Sequence, residues 1–387
     1  MNRREILLSA AALPALGSAL SLAAEQRKEL KITGVETDVL KPPPGERYYD
    51  ALQTLNVDKG AVVLRIHTNA GITGWANSWF GNMGEGARVV QTILEYQVKP
   101  VIMGKDPAFP RQIRADLWKT LNYQGVGGVA QFALAATDIA LWDILGKNAG
   151  LPVYKMLGAY RDRIPVYSMC GWYYDNDEDL SKFKRQIVDA MEQGYKAVKI
   201  KVGKYSLADD ERRIRLAFDT MGKEKHLMVD ANQVFDRAEA LRRGRVYQEM
   251  GCFWLEEPLP PEDMEGFAIL AQTLDMRIAT GENLNTKYAF ADLIARRGAD
   301  IVQPDDRRAG GVCEWMEIAA IADGYKVEVA SHGGGGTNLN MLLAMPNAIY
   351  MESGGPQKLV DGEVLGPEEP GMSSEVSVAE IRKYKIG

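Results

Sequence analysis

From residue 164 onward, eight short apolar runs recur: IPVYSMCG, KAVKIKVG, HLMVDANQ, CFWLEEP, RIATGEN, DIVQPDD, KVEVASH and AIYMESGG. Charged segments of helical period, such as DRAEALRRGRVYQEMG, separate most of them. A closed (β/α) barrel and an open doubly wound sheet both produce such an alternation. The ends of the runs separate the two. Each of the last seven finishes in residues capable of chemistry, in order Lys199 and Lys201, Asp230 and Asn232, Glu256, Glu282, Asp305, His332 and Glu352. A barrel brings these carboxyl-terminal strand ends to one mouth, whereas an open sheet spreads them along a line. Convergence favours the barrel.

The run KAVKIKVG poses an energetic problem. Side chains alternate along a strand, so Lys199 and Lys201 point one way and Val198, Ile200 and Val202 the other. If the valines and isoleucine meet a helix layer, two ammonium groups lie side by side in the sheet's interior, where like charges are costly. That cost implies a function.

The 387 residues, 46% hydrophobic and 25% charged, suffice for one large core and a smaller domain. The formal net charge of -6 comes without a basic run, so nucleic acid is not an expected partner. Residues 1–24 carry Arg3 and Arg4, an Ala- and Leu-rich stretch, and small residues at Ser21 and Ala23. They read as a cleaved twin-arginine-type export signal, which predicts a periplasmic or exported protein. An uncleaved membrane anchor is the alternative, weakened by Pro14 and Gly17. Cys170, Cys252 and Cys313 are too few and too far apart for a disulfide framework or a CxxC metal motif.

Between residues 30 and 77, KITGVETDVL and GAVVLRIHTNAGITGWAN predict an antiparallel meander with a hairpin at Asn69-Ala70-Gly71. The Pro-rich stretch 41–58 reads as a lid, with Tyr48 and Tyr49 as its substrate contacts. Helical pattern follows from 84 to 149, ending in an expected amphipathic helix before Gly150. The domain boundaries read as an α+β domain at 28–155, a barrel at 160–355 and a C-terminal segment at 356–387.

Taken singly, an acid at a strand end is usually a helix cap, His332 a hydrogen-bonded core histidine and Glu257 a solvent-facing neighbour of Glu256. The ordered set is harder to dismiss. Asp230, Glu256 and Glu282 on successive strands make an all-oxygen site suited to Mg²⁺, with Mn²⁺ as a substitute. Such a metal would stabilise the enediolate formed when a substrate carboxylate loses its α proton. Lys201 reads as the base, its pKa depressed by Lys199 and the metal. His332, held by Asp305, reads as a second acid or base, and Glu352 as a protonated donor to the enediolate.

The marks KIK (199–201), VDAN (229–232), LEEP (255–258), TGEN (280–283), QPD (303–305), SHGG (331–334) and ESGG (352–355) together resemble the mandelate racemase branch of the enolase superfamily, across nearly the whole chain after the signal. The resemblance implies a modified TIM-type (β/α)7β barrel with an N-terminal α+β capping domain to which the C-terminal segment returns. It also implies Mg²⁺ on Asp230, Glu256 and Glu282, a Lys201 base facing a His332–Asp305 dyad, Glu352 as electrophile and Asn232 near the substrate. The expected partner is a small carboxylate, in a homo-oligomer. Dehydration of an acid sugar to a 2-keto-3-deoxy acid is the first expectation, and racemisation, epimerisation or cycloisomerisation the second. A Schiff-base lyase using HGGGG to cradle phosphate and a non-catalytic sugar-binding protein are the remaining alternatives.

Overall fold

The computed structural model describes residues 29–80, 83–125, 127–355 and 357–387. The export signal expected at 1–24 lies outside the described residues. Strand β1 (Ile32–Leu40) opens the chain, followed by the short strands β2 (Tyr48–Tyr49) and β3 (Thr54–Leu55) and then by β4 (Gly60–Thr68) and β5 (Thr73–Phe80). β1, β4 and β5 form the expected antiparallel meander, while β2 and β3 turn the 41–58 stretch into a small hairpin rather than an irregular loop.

Helices cover one face of the meander. The long one, Val129–Ala149, is not amphipathic as expected: Ala133, Ala136, Leu134, Ile139, Leu141 and Ile144 are buried around most of its girth. It is long and apolar enough to cross a membrane, yet most of it is buried between the meander and the barrel. A helix apolar all round needs partners all round, and the two domains supply them.

In the described residues, eight parallel strands close a barrel: β6 (Arg163–Met169), β7 (Ala197–Lys201), β8 (His226–Asp230), β9 (Trp254–Glu256), β10 (Arg277–Thr280), β11 (Ile301–Val302), β12 (Glu328–Ala330) and β13 (Ala348–Ser353). Closure is the pairing of β13 with β6. Helices follow the first seven strands, giving the (β/α)7β order. Val198, Ile200, Val229, Leu255, Ile278, Val302 and Val329 face the helices in the main core. Tyr167, Ala197, Met228, Trp254, Ala279, Ile301 and Ala330 fill the barrel's interior. Small residues at 197, 279 and 330 leave room for the Trp254 and Tyr167 rings, which meet edge to face at 5.3 Å. This layer floors the site above it.

The C-terminal segment does two things where one was expected. Strands β14 (Leu359–Val360) and β15 (Glu363–Leu365) form a hairpin whose second strand pairs antiparallel with the first residues of β6. The chain then returns to the first domain, where β16 (Lys385–Ile386) pairs with β1. Asp143, fully buried in the long helix, ties these parts together. It accepts from the backbone N–H groups of Trp75 in β5 (2.9 Å) and Met372 in the C-terminal segment (2.8 Å), and from Lys147 Nζ (2.7 Å). Asp143→Ala leaves two buried N–H groups without an acceptor and leaves Lys147 with only the Thr73 carbonyl and Glu375, so a loss of ~3 kcal/mol is expected in urea unfolding, against less than ~1 kcal/mol for the exposed Glu375→Ala.

Candidate active site

Alternation on β7 places Lys199 and Lys201 above the aromatic floor, both essentially buried. The parallel register then sets Lys201 beside Asp230 and Asp230 beside Glu256. Glu282 follows one strand later, in the turn after β10. One carboxylate oxygen from each of Asp230, Glu256 and Glu282 lies within 4.8 Å of the others.

Each acid is held by donors on its outer side. Asn232 N–H donates to Asp230 Oδ1 (2.9 Å), while Trp254 Nε1 (3.0 Å) and Gln303 Nε2 (2.7 Å) donate to Glu256 Oε2. Arg308 Nη1 lies 3.3 Å from Glu282 Oε1. Lys201 Nζ donates to Asp230 Oδ2 at 2.6 Å, and Lys199 Nζ is bonded to Glu256 Oε1 and stands 3.4 Å from Glu352 Oε2. Burial pushes Glu256 up to about 7, with Asp230, Glu352 and Glu282 adding to the rise against Lys199. Three crowded carboxylates without a central cation are under electrostatic strain, and a hard dication relieves it. The donor set, all oxygen and buried, fits Mg²⁺.

On the far side of the acids, Asp305 and His332 bridge through their backbones, and Asp305 Oδ2 meets His332 Nδ1 at 2.7 Å. This leaves His332 Nε2 turned toward Glu282, 3.5 Å from Oε1. Burial lowers the imidazole's proton affinity, but Glu282, Asp305 and Glu352 outweigh it and raise His332 to about 9. Arg307 shares Asp305 with the histidine, reaching Oδ2 at 2.6 Å and Oδ1 at 3.2 Å, and its Nη1 donates to the Trp79 carbonyl of the capping domain. Burial pushes Asp305 up, but Arg307 and His332 together hold it well below the usual carboxylate range. A cleft of about 680 Å³ opens beside His332, between barrel, capping domain and C-terminal segment.

Residues 182–380 match the enolase C-terminal domain-like family, and residues 40–158 match the mandelate racemase/muconate lactonizing enzyme N-terminal domain. The chain belongs to this family of the enolase superfamily. A 3,6-anhydro-alpha-L-galactonate cycloisomerase from Streptomyces coelicolor is 30% identical, over 92% of this chain and all of that protein. The L-talarate/galactarate dehydratase of Salmonella typhimurium is 37% identical over 65% of this chain and 63% of its own length. Its crystal structure superposes with a TM-score of 0.85 at 30% identity, covering 94% of this chain and 93% of that one. A racemase from Streptomyces coelicolor with bound magnesium superposes at 0.86 and 29% identity, covering 92% and 100%. Mg²⁺ is accordingly the cofactor of this enolase-superfamily enzyme, and Asp230, Glu256 and Glu282 are the residues present that would hold it.

Within this frame several expectations need correction. Burial and Lys199 disfavour the charge of Lys201, while the carboxylates of Asp230 and Glu282 pull its proton affinity up. Glu352 is not a protonated donor. Burial raises it, but Lys199, His332 and Lys201 draw it down to about 2, and it accepts from Tyr167 Oη (3.0 Å) and Gly333 N–H (3.2 Å). Glu257 does not face solvent. It is buried, its Oε1 taken by Asn283 Nδ2 at 2.8 Å and its Oε2 by Gln233 Nε2 at 3.1 Å, and burial keeps its proton affinity high.

Tyr48 and Tyr49 part company because they alternate on β2. The Tyr48 ring packs on Trp172 at 4.8 Å, and Trp172 in turn underlies the Lys201 ammonium at 4.5 Å. Tyr49 points the other way and hydrogen-bonds Asp175, so it is not a site residue. Asn232 sits where expected, its backbone at φ 46° so that its N–H reaches Asp230, and its buried Oδ1 has no partner among the described residues. The glycines of HGGGG serve close packing: a Cβ on Gly334 would lie 2.7 Å from the Glu352 carbonyl oxygen, and one on Gly336 2.5 Å from that of Ser373. Trp172, Asp50 and Arg307 escaped the sequence reading.

Ligation implies linkage. Excess Mg²⁺ should raise the wild-type melting temperature, by the equivalent of ~2.7 kcal/mol at a hundredfold excess over the dissociation constant. Chelator should reverse the gain, and Glu256→Gln should show little or none of it in the same thermal scan.

Proposed function

We propose that this enzyme removes the proton α to the carboxylate of an acid sugar and expels the β-hydroxyl, yielding a 2-keto-3-deoxy acid. The observation that carries this reading is the placement of two proton-transfer groups on opposite flanks of one acid triad, Lys201 against Asp230 and His332 against Glu282. Among the relatives, the dehydratase from Salmonella typhimurium and an arabinonate dehydratase from Saccharolobus solfataricus, 28% identical over 84% of this chain, support it.

Asp230, Glu256 and Glu282 would hold Mg²⁺, whose positive charge would make the C–H beside a substrate carboxylate more acidic. Lys201 takes that proton. Its neutral form is favoured by burial and by Lys199, and the opposing pull of Asp230 weakens once that carboxylate is a ligand. The C–H electron pair first passes into the substrate carboxylate as an enediolate, and in a second step it becomes the C=C bond between the α and β carbons as the β C–O bond breaks. His332 Nε2 protonates the departing hydroxide to water while Asp305 holds Nδ1 and steadies the imidazolium. The resulting enol tautomerises to the ketone. Lys199, Tyr167 and the Gly333 N–H fix Glu352, whose negative charge lies across the mouth from the triad and holds His332 in its protonated form.

With Mg²⁺ and a panel of acid sugars, the wild type should form 2-keto acid. Lys201→Met and His332→Asn should each lose ~10²–10⁴-fold in that rate. His332→Asn should still exchange the α proton with deuterated solvent, and Lys201→Met should not. Dehydration by His332→Asn at the wild-type rate would refute the acid assigned here. Cycloisomerisation is the second reading, favoured by the full-length match to the Streptomyces coelicolor cycloisomerase; its product keeps the substrate's mass, whereas dehydration loses one water. Export through Arg3 and Arg4 belongs to the same proposal. Replacing both with lysine should leave the precursor in the cytoplasm, as cell fractionation would show.

A further inference from the structure

We infer that the site selects monocarboxylate sugar acids, aldonates, over dicarboxylate ones, aldarates, and that Asp50 of the lid is a residue enforcing the choice. The inference rests on the acid-sugar reading above and concerns the end of the substrate remote from the metal. An aldonate carries a neutral hydroxymethyl group there and an aldarate a second carboxylate. A site built for the latter offers a cation free of other acids.

On both sides of the mouth the structure offers acids instead. Tyr48 packs on Trp172, which underlies the Lys201 ammonium, and Asp50, just past the end of β2, lies near enough to feel the charges of Lys201 and Asp230. Asp50 is buried, and its Oδ1 is fixed by the N–H groups of Leu52 (2.7 Å) and Gln53 (2.5 Å). The lid holding it is pinned by the backbone bridge between Tyr49 and Tyr173. A preorganised carboxylate thus roofs the Lys201 side, able to accept hydrogen bonds from substrate hydroxyls and repelling a second carboxylate.

The His332 side repeats the pattern. Its cleft is lined by Asp306, Glu352 and Glu375 against His332 and a single guanidinium, Arg307. That guanidinium is committed: Nη2 and Nε to Asp305, Nε also 3.4 Å from Asp306, and Nη1 to the Trp79 carbonyl. Neutral polar groups, Asn77, Thr337, Ser373 and Gln357, complete the wall and suit hydroxyls. Lys204 does not help, because its ammonium lies 4.7 Å over the ring of Tyr49, on the lid face opposite Tyr48.

The test uses Mg²⁺-loaded full-length enzyme and matched aldonate and aldarate pairs of one configuration, read by calorimetric binding and by kcat/KM. The wild type should favour the aldonate by at least ~10-fold in both readouts. Asp50→Asn keeps the acceptor for Leu52 and Gln53 and removes only the charge, so it should shrink that ratio severalfold, chiefly through a lower aldarate KM. Asp50→Ala loses the anchor as well and should weaken both acids. An aldarate bound or turned over as well as its aldonate, or a ratio unmoved in Asp50→Asn, overturns the inference. An aldonate preference in binding with no keto acid formed overturns the dehydration reading and leaves the selectivity standing. Binding of neither acid overturns the acid-sugar reading and the inference with it.

Discussion

The barrel's interior is held in a state of balanced charge by one register: Lys201 beside Asp230, Asp230 beside Glu256. Two ammonium groups and three carboxylates could not be buried singly, since each isolated ion would cost several kcal/mol to desolvate. Interleaved on adjacent strands, the two ammonium groups offset two of the three carboxylate charges, and Trp254, Gln303 and Asn232 donate to outer oxygens of Glu256 and Asp230. A slip of one residue on β8 would turn Asp230 into the helix layer and Val229 into the mouth. The aromatic floor and the outer ring of aliphatic residues oppose such a slip, so the packing beneath the site specifies the charges above it.

Around this core the chain divides its labour between rigidity and adaptation. Asp230, Glu256, Glu282, Lys201 and His332 stand on strand ends or the turns directly after them, where backbone pairing fixes them. The cleft beside His332 adds Asn77 and Trp79 of the capping domain and Ser373, Ser374 and Glu375 of the C-terminal segment to the barrel's own loops. Arg307 joins the two systems, since one guanidinium grips both the Asp305 carboxylate of the dyad and a carbonyl of β5. Displacement of the capping domain would therefore be felt at the histidine.

What could be read from the sequence follows the range of each interaction. Strand alternation is local, so the shared direction of Lys199 and Lys201 and the order of Asp230, Glu256 and Glu282 were legible without coordinates. Proton affinities were not. The state of Lys201 or Glu352 depends on the sum of several opposed neighbours, and the sequence names the neighbours without their distances. Glu257 went wrong for a related reason: at φ 38° its backbone leaves the strand geometry on which alternation depends. Tyr49 was misplaced because two residues of β2 give no independent sign of which face is inward. Arg307 lies in a polar turn with no pattern of its own, and only the folded contact with Asp305 shows its place.

The return of the C-terminal segment bears on when this protein can exist at all. β1 is completed at its edge by Lys385 and Ile386, which follow the whole barrel in the chain, and Ser374 and Met372 anchor to β5 and the long helix. The edge of β1 therefore stays unpaired until a segment encoded after the barrel has returned to it. A cap formed before the barrel would carry that open edge, and its sheet reaches full width only when the segment beyond the barrel is in place.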